Sequence, residues 1–180
     1  MNKIEKQKLT IQECLKKKFL VKDERMLKLS RSYFQKAKNN LNTAIILFLL
    51  QNNQEARKTL KIPQDYTSDE WVVVCSYYAM YAGALSLIAK IGYKSSNHSA
   101  TILALDKFYV EKQLIEKEFI SMLDYAKITK EEIQELTEAK DNREIAQYSV
   151  TKATTHSLAE KSKDNAFKFL EKVENIMKEI

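Results

Sequence analysis

Few side chains in these 180 residues are suited to gripping a phosphate or moving a proton, and they gather in two stretches. The first is residues 68–91, where Tyr77, Tyr78 and Tyr81 stand in a run without formal charge from Trp71 to Ala89. Gly92 follows, and then Asn97-His98-Ser99-Ala100. The second is residues 129–148, which carry Arg143 and Tyr148. There an apolar stripe runs Ile133, Leu136, Ala139 and on to Ala146, and Arg143 interrupts it at helical spacing. An unpaired guanidinium is costly to bury. Arg143 must therefore snorkel at the end of the stripe, pair with Glu118 or Asp124, or face a subunit boundary or cleft. The unperturbed pKa of a tyrosine is about 10, which would make Tyr148 a poor base at neutral pH. Its hydroxyl still donates a hydrogen bond, and its ring stacks on a base. On one continuous helix the two side chains diverge by about 140° and ~7.5 Å, so they converge only where the helix ends or bends. Ser149-Val150-Thr151 makes an end near Tyr148 reasonable.

The chain has two histidines. His98 sits at a predicted helix start, where backbone N–H groups hold an anion, or where it and Ser99 simply cap the turn. His156 reads as a surface residue beside another helix start, with replacement base as the alternative. Tyr77 and Tyr81 share a helix face, while Tyr78 points about 100° away. Such spacing suits core packing, and leaves the chance that one hydroxyl reaches Arg143 or a nucleotide. No Cys-x-x-Cys or His-x-x-x-His pattern exists, and neither glycine lies in a phosphate loop. No metal and no cofactor are expected.

Helices must position all of these residues. Two glycines and one proline leave little from which to build hairpins, so the expected class is all-α. The spacing predicts an N-terminal helix over residues 3–19 and a long helix over 23–52, capped by Asp23. A short helix follows over 55–60. The uncharged run forms the central rod, capped by Ser68 and stopped by Gly92. Further helices are expected from Asn97, over 117–126, from a Thr129–Glu132 capping box to about Tyr148, and over 155–178. Together they make an up-and-down bundle of four main helices with additional short ones. Residues 1–22 read as a helical arm, serving as an addition, a dimer contact or an RNA contact, and residues 23–180 as the bundle.

Charge is uneven. Residues 1–61 carry fifteen Lys/Arg against five Asp/Glu, while the rest is mildly acidic within a net charge of +6. Lys16, Lys17 and Lys18 are the densest cluster, and they give either an RNA footprint or a solvated helix face. The longest strictly apolar run, residues 44–50, is far short of the ~20 residues that span a bilayer. With no signal peptide visible and no cysteine framework, a soluble cytoplasmic protein without a membrane partner is expected.

The run Tyr77-Tyr78-Ala79-Met80-Tyr81-Ala82-Gly83-Ala84, the 92–100 tail and the later Arg143…Tyr148 pair resemble the HEPN family over roughly residues 25–178. These are small helical domains of toxin–antitoxin and RNA-defence systems. The branch that looks closest carries Tyr-Tyr-Ala-Met-Phe-His-Ala-Ala in this helix, so its His corresponds to Ala82. Active members carry Arg, four to six residues, then His, paired across a dimer cleft. They are taken to cleave RNA without metal, the 2′-hydroxyl attacking the adjacent phosphate. Arg143 matches that Arg, which the resemblance would have hold the phosphate and the charge that develops on it, and Tyr148 stands in the place of the His. The resemblance implies a homodimer acting on RNA or a nucleotide, with Arg143 and Tyr148 as catalytic residues and His98, Tyr78, Lys16, Lys17 and Lys18 in binding. It also implies a minimal nucleotidyltransferase antitoxin as partner, which modifies a tyrosine in relatives. That tyrosine's position is Val150 here. The alternative is a non-catalytic bundle that binds a nucleotide or partner, its ribonuclease site lost.

Overall fold

The structure, a computed structural model, describes residues 10–141 and 156–179, with the backbone alone over 132–141. Helix α1 (Ile11–Lys16) leads into strand β1 (Leu20–Lys22) and a 3-10 turn (Glu24–Leu29). Helix α2 (Ser30–Asn52) and the short α3 (Gln54–Thr59) precede α4 (Asp69–Lys90). Strand β2 (Tyr93–Ser95), helix α5 (His98–Leu105) and a π turn (Asp106–Val110) come next. The chain then forms α6 (Lys117–Asp141) and α7 (His156–Glu179).

Four long helices alternate in direction, as side-chain contacts show. At one end, Gln51 near the end of α2 bonds Asp69 at the start of α4, and His156 at the start of α7 joins them. At the other end, Ser30 Oγ donates to Ser86 O and lies against Met177 Sδ. Lys172 of α7 pairs with Glu116, just before α6, which therefore runs back against α4 and α7. The result is an all-α, up-and-down bundle of four main helices with shorter ones added.

Helix α4 is its axis. Val72, Val73, Ala79, Met80, Ala84, Leu87, Ile88 and Ala89 are all 2% exposed or less, so the helix is enclosed from several sides, as its composition requires. It is long and apolar enough to cross a bilayer, but 72% of its most apolar window is buried inside the bundle, as in a core helix. Gly83 lets α7 approach closely: a Cβ there would stand 3.3 Å from Leu170 Cδ1. The apolar stripe of α7, with Ala166, Leu170 and Val173 buried as the spacing predicts, seals that side.

Three expectations need correction. Residues 10–22 are not a separable helical arm. Cys14 is fully buried and Leu20 nearly so, and β1 pairs antiparallel with β2 in the register Leu20↔Ser95, Val21↔Lys94 and Lys22↔Tyr93. The helix there is short because a Thr10–Glu13 capping box opens it and Lys18, at φ +58°, closes it. Residues 24–29 form a 3-10 turn rather than the first turns of α2, with Asp23 capping that turn through the Arg25 N–H. Thr129 opens no helix. It is buried within α6, its hydroxyl donating to Tyr125 O at 3.0 Å, so the i−4 carbonyl takes the bond that a cap would have made.

Candidate functional site

Helix α4 spaces Tyr77 and Tyr81 one turn apart, and their rings stack at 5.9 Å and 6°. His98, the first residue of α5, lies against both, with centroids 5.7 Å from Tyr81 and 6.1 Å from Tyr77. Helix α6 supplies the charges. Lys130 Nζ sits 5.6 Å from the Tyr77 centroid and 5.7 Å from that of Tyr78, within cation–π range of both. Tyr77 is buried and Tyr78 is 41% exposed, as the angle between them on α4 predicts.

His98 lies at the start of α5, as expected, but it does not cap the helix. Asn97 does, its side chain accepting the Ala100 N–H at 2.8 Å. His98 is instead 9% exposed, and neither ring nitrogen has a hydrogen-bond partner among the described residues. Asp124 Oδ1 is 3.5 Å from Nε2, an electrostatic neighbour rather than a hydrogen-bond partner. Burial, helped by the charge of Lys127, pushes the imidazole pKa below its ordinary value, against the pull of Asp124 and Glu131. The ring is therefore neutral at pH 7. Burial and the neighbouring Tyr81, Tyr78 and Glu131 push Tyr77 up to about 12, so its hydroxyl is a donor, not a base.

Lys16, Lys17 and Lys18 are exposed at the turn between α1 and β1. The structure anchors this turn near the start of α5: Phe19 O accepts the Ser96 N–H at 2.9 Å, two residues before His98. The expected binding residues His98 and Tyr78 thus meet at one tyrosine cluster, with the lysine turn tied to the adjoining strand pair. Arg143 and Tyr148 lie outside the described residues, as does Ile4. Asp124, an expected partner for Arg143, faces His98.

A second constellation stands at the far end of α4. The Asp69 carboxylate, its side chain 10% exposed, accepts from Gln51 Nε2 at 2.6 Å and lies 3.1 Å from His156 Nδ1. The Thr67 hydroxyl is 3.0 Å from Asp69 Oδ2 and 3.0 Å from Gln51 Oε1, and donates to one of them. Thr67 Oγ1 also accepts the Asp69 N–H at 3.3 Å, while Ser68, at the expected cap position, makes no side-chain cap bond and donates its hydroxyl to Leu47 O. The His156 ring stacks on Phe48 at 4.6 Å and 11°. The pair borders an open cleft of about 470 Å³, shared with Gln54, Arg57, Gln64 and Tyr66. Arg57 Nη2 donates to Pro63 O at 2.6 Å, which ties the loop down, and no described carboxylate pairs with its charge. His156 was visible in the sequence as a histidine at a helix start. Its partner was not, because 87 residues separate the two and no local pattern links them.

Among the described residues no group of three His, Cys, Asp or Glu could hold a metal. Burial raises the thiol pKa of both Cys14 and Cys75, which suits packing rather than nucleophilic use. No protein-family model, curated protein or solved structure matches the chain.

Proposed function

We propose that this chain is a HEPN-type bundle that captures single-stranded RNA on the face formed by Tyr78, His98 and Lys130. The observation that carries this reading is the half-exposed ring of Tyr78 with Lys130 Nζ 5.7 Å from its centroid, beside the stacked Tyr77 and Tyr81. Half-exposed Tyr78 offers a ring to a base, and Lys130 with Lys127 offers charge to phosphate. The Lys16–Lys18 turn extends that charge. The resemblance supplies the setting, a toxin–antitoxin-type module with a homodimer and a nucleotidyltransferase partner. It also gives Arg143 and Tyr148 as the residues that act on the bound RNA.

A non-catalytic form of the same reading is favoured at this face by the chemistry of its side chains. Tyr77 stays protonated, and His98 is walled in by rings, so neither is an accessible base. Fluorescence anisotropy with a labelled mixed-sequence RNA tests capture. Tyr78→Ala and Lys130→Ala should each weaken binding about tenfold, in line with ~1–3 kcal/mol for one stacked base. Unchanged affinity in both variants, with helicity intact, contradicts the assignment.

A further inference from the structure

We propose that Asp69 and His156 form a general-base dyad for cleavage of an RNA phosphodiester bound in the cleft they border, a proposal that rests on the RNA reading above. The arrangement has the parts that such a base needs. Asp69 accepts from Gln51 Nε2 and its backbone N–H is held by Thr67 Oγ1, so the carboxylate is held in place before any substrate arrives. It accepts the His156 Nδ1–H, which selects the tautomer with its lone pair on Nε2. Phe48 supports the ring from below, fixing the plane in which that lone pair lies. His156 is 47% exposed, so the imidazole is accessible to a substrate, unlike His98.

The cleft narrows the substrate. Its volume of about 470 Å³ suits a nucleotide unit, and the amides of Gln54 and Gln64 can meet base edges. The guanidinium of Arg57 brings a charge that no described carboxylate cancels, suited to a phosphate. Such a ligand needs a hydroxyl next to that phosphate for the base to act on, and a ribonucleotide has one. In the step proposed, His156 Nε2 takes the 2′-hydroxyl proton while the 2′-oxygen bonds to phosphorus. The bond from phosphorus to the 5′-oxygen breaks, that oxygen takes a proton from water, and the imidazolium returns its proton to solvent. The products are a 2′,3′-cyclic phosphate and a 5′-hydroxyl. The dyad would supply the base that Tyr148 does not.

Asp69 and Tyr78 lie nine residues apart on α4, on opposite sides of the helix and about 14 Å along it. Loss of the dyad should therefore spare RNA capture at the tyrosine face. The test uses the whole chain, a 5′-labelled mixed-sequence RNA and a 2′-deoxy control. Cyclic-phosphate ends and binding are both read. His156→Ala should lower kcat at least about 100-fold with binding unchanged, and added imidazole should restore part of the rate. His156→Phe keeps a ring on Phe48 but no nitrogen, and should be equally inactive. Asp69→Asn acts through His156 and should lower kcat with KM unchanged. Wild-type rates in His156→Phe overturn the dyad and leave the RNA reading standing. So does a native protein that binds RNA without releasing cyclic ends. A native protein that neither binds nor cleaves RNA overturns both.

Discussion

His98 is enclosed by Tyr77 and Tyr81, with Lys127 adding to the effect of burial, so its protonation costs more in the folded chain than in the unfolded one. Asp124 and Glu131 oppose this without reversing it. The sign of the consequence follows from linkage. The unfolded chain binds the proton more readily, so stability is fully present above the ordinary histidine value of 6.5 and is lost as pH falls through the depressed one. Urea midpoints should drop between pH 8 and pH 5, and by less in His98→Phe than in the native protein. An identical drop in both would show that His98 titrates as if exposed. At this scale the sequence was partly legible. Tyr77 and Tyr78 fell on their inner and outer faces because helical spacing alone decides that. That neither ring nitrogen of His98 bonds a described residue depends on α4 and α6 closing over it, and no local pattern announces such an enclosure.

Helix ends show the same division between local and distant causes. Gly92, at φ +75°, stops α4 where the sequence placed the stop. With so few glycines, other helices close on residues that pay for the left-handed region: Lys18 at φ +58°, Lys61 at +54° and Gln113 at +57°. Gly92→Ala should therefore lower stability by about 1 kcal/mol, while Lys61→Gly should raise it by about 0.5–1 kcal/mol. Chemical denaturation reads both, and a stabilised Gly92→Ala would contradict the account. The long helices were readable from their apolar stripes, α7 most clearly. The strand pair was not, because Leu20–Lys22 and Tyr93–Ser95 each span three residues, too short for alternation to emerge. The expected break before Thr129 failed for a related reason. A Thr-x-x-Glu pattern opens a helix only where the preceding turn is absent, and in α6 Tyr125 O is there to accept the hydroxyl.

Taken whole, the bundle carries two polar and aromatic side-chain clusters at separate places around one buried axis. The tyrosine–histidine face lies where α4, α5 and α6 meet, with the Lys16–Lys18 turn tied to the strand pair beside it. The Asp69–His156 cleft lies at the end where α2 stops and α4 and α7 begin. The basic excess of the first 61 residues was plain from composition. Where its densest cluster sits became visible only once Phe19 was seen bonded to Ser96. The all-α bundle could be read because composition and period agree along almost the whole chain, whereas contacts between residues far apart in sequence could not. The central claim is that RNA lies across Tyr78 and Lys130. Photo-cross-linking of a 4-thiouridine RNA, with adducts located by mass spectrometry, tests it most directly. The account predicts adducts on the α4 peptide bearing Tyr78 and on the α6 peptide bearing Lys130, competed away by unlabelled RNA. Adducts confined to the α2–α7 groove around Phe34 and Phe167, with α4 and α6 unlabelled, would contradict it.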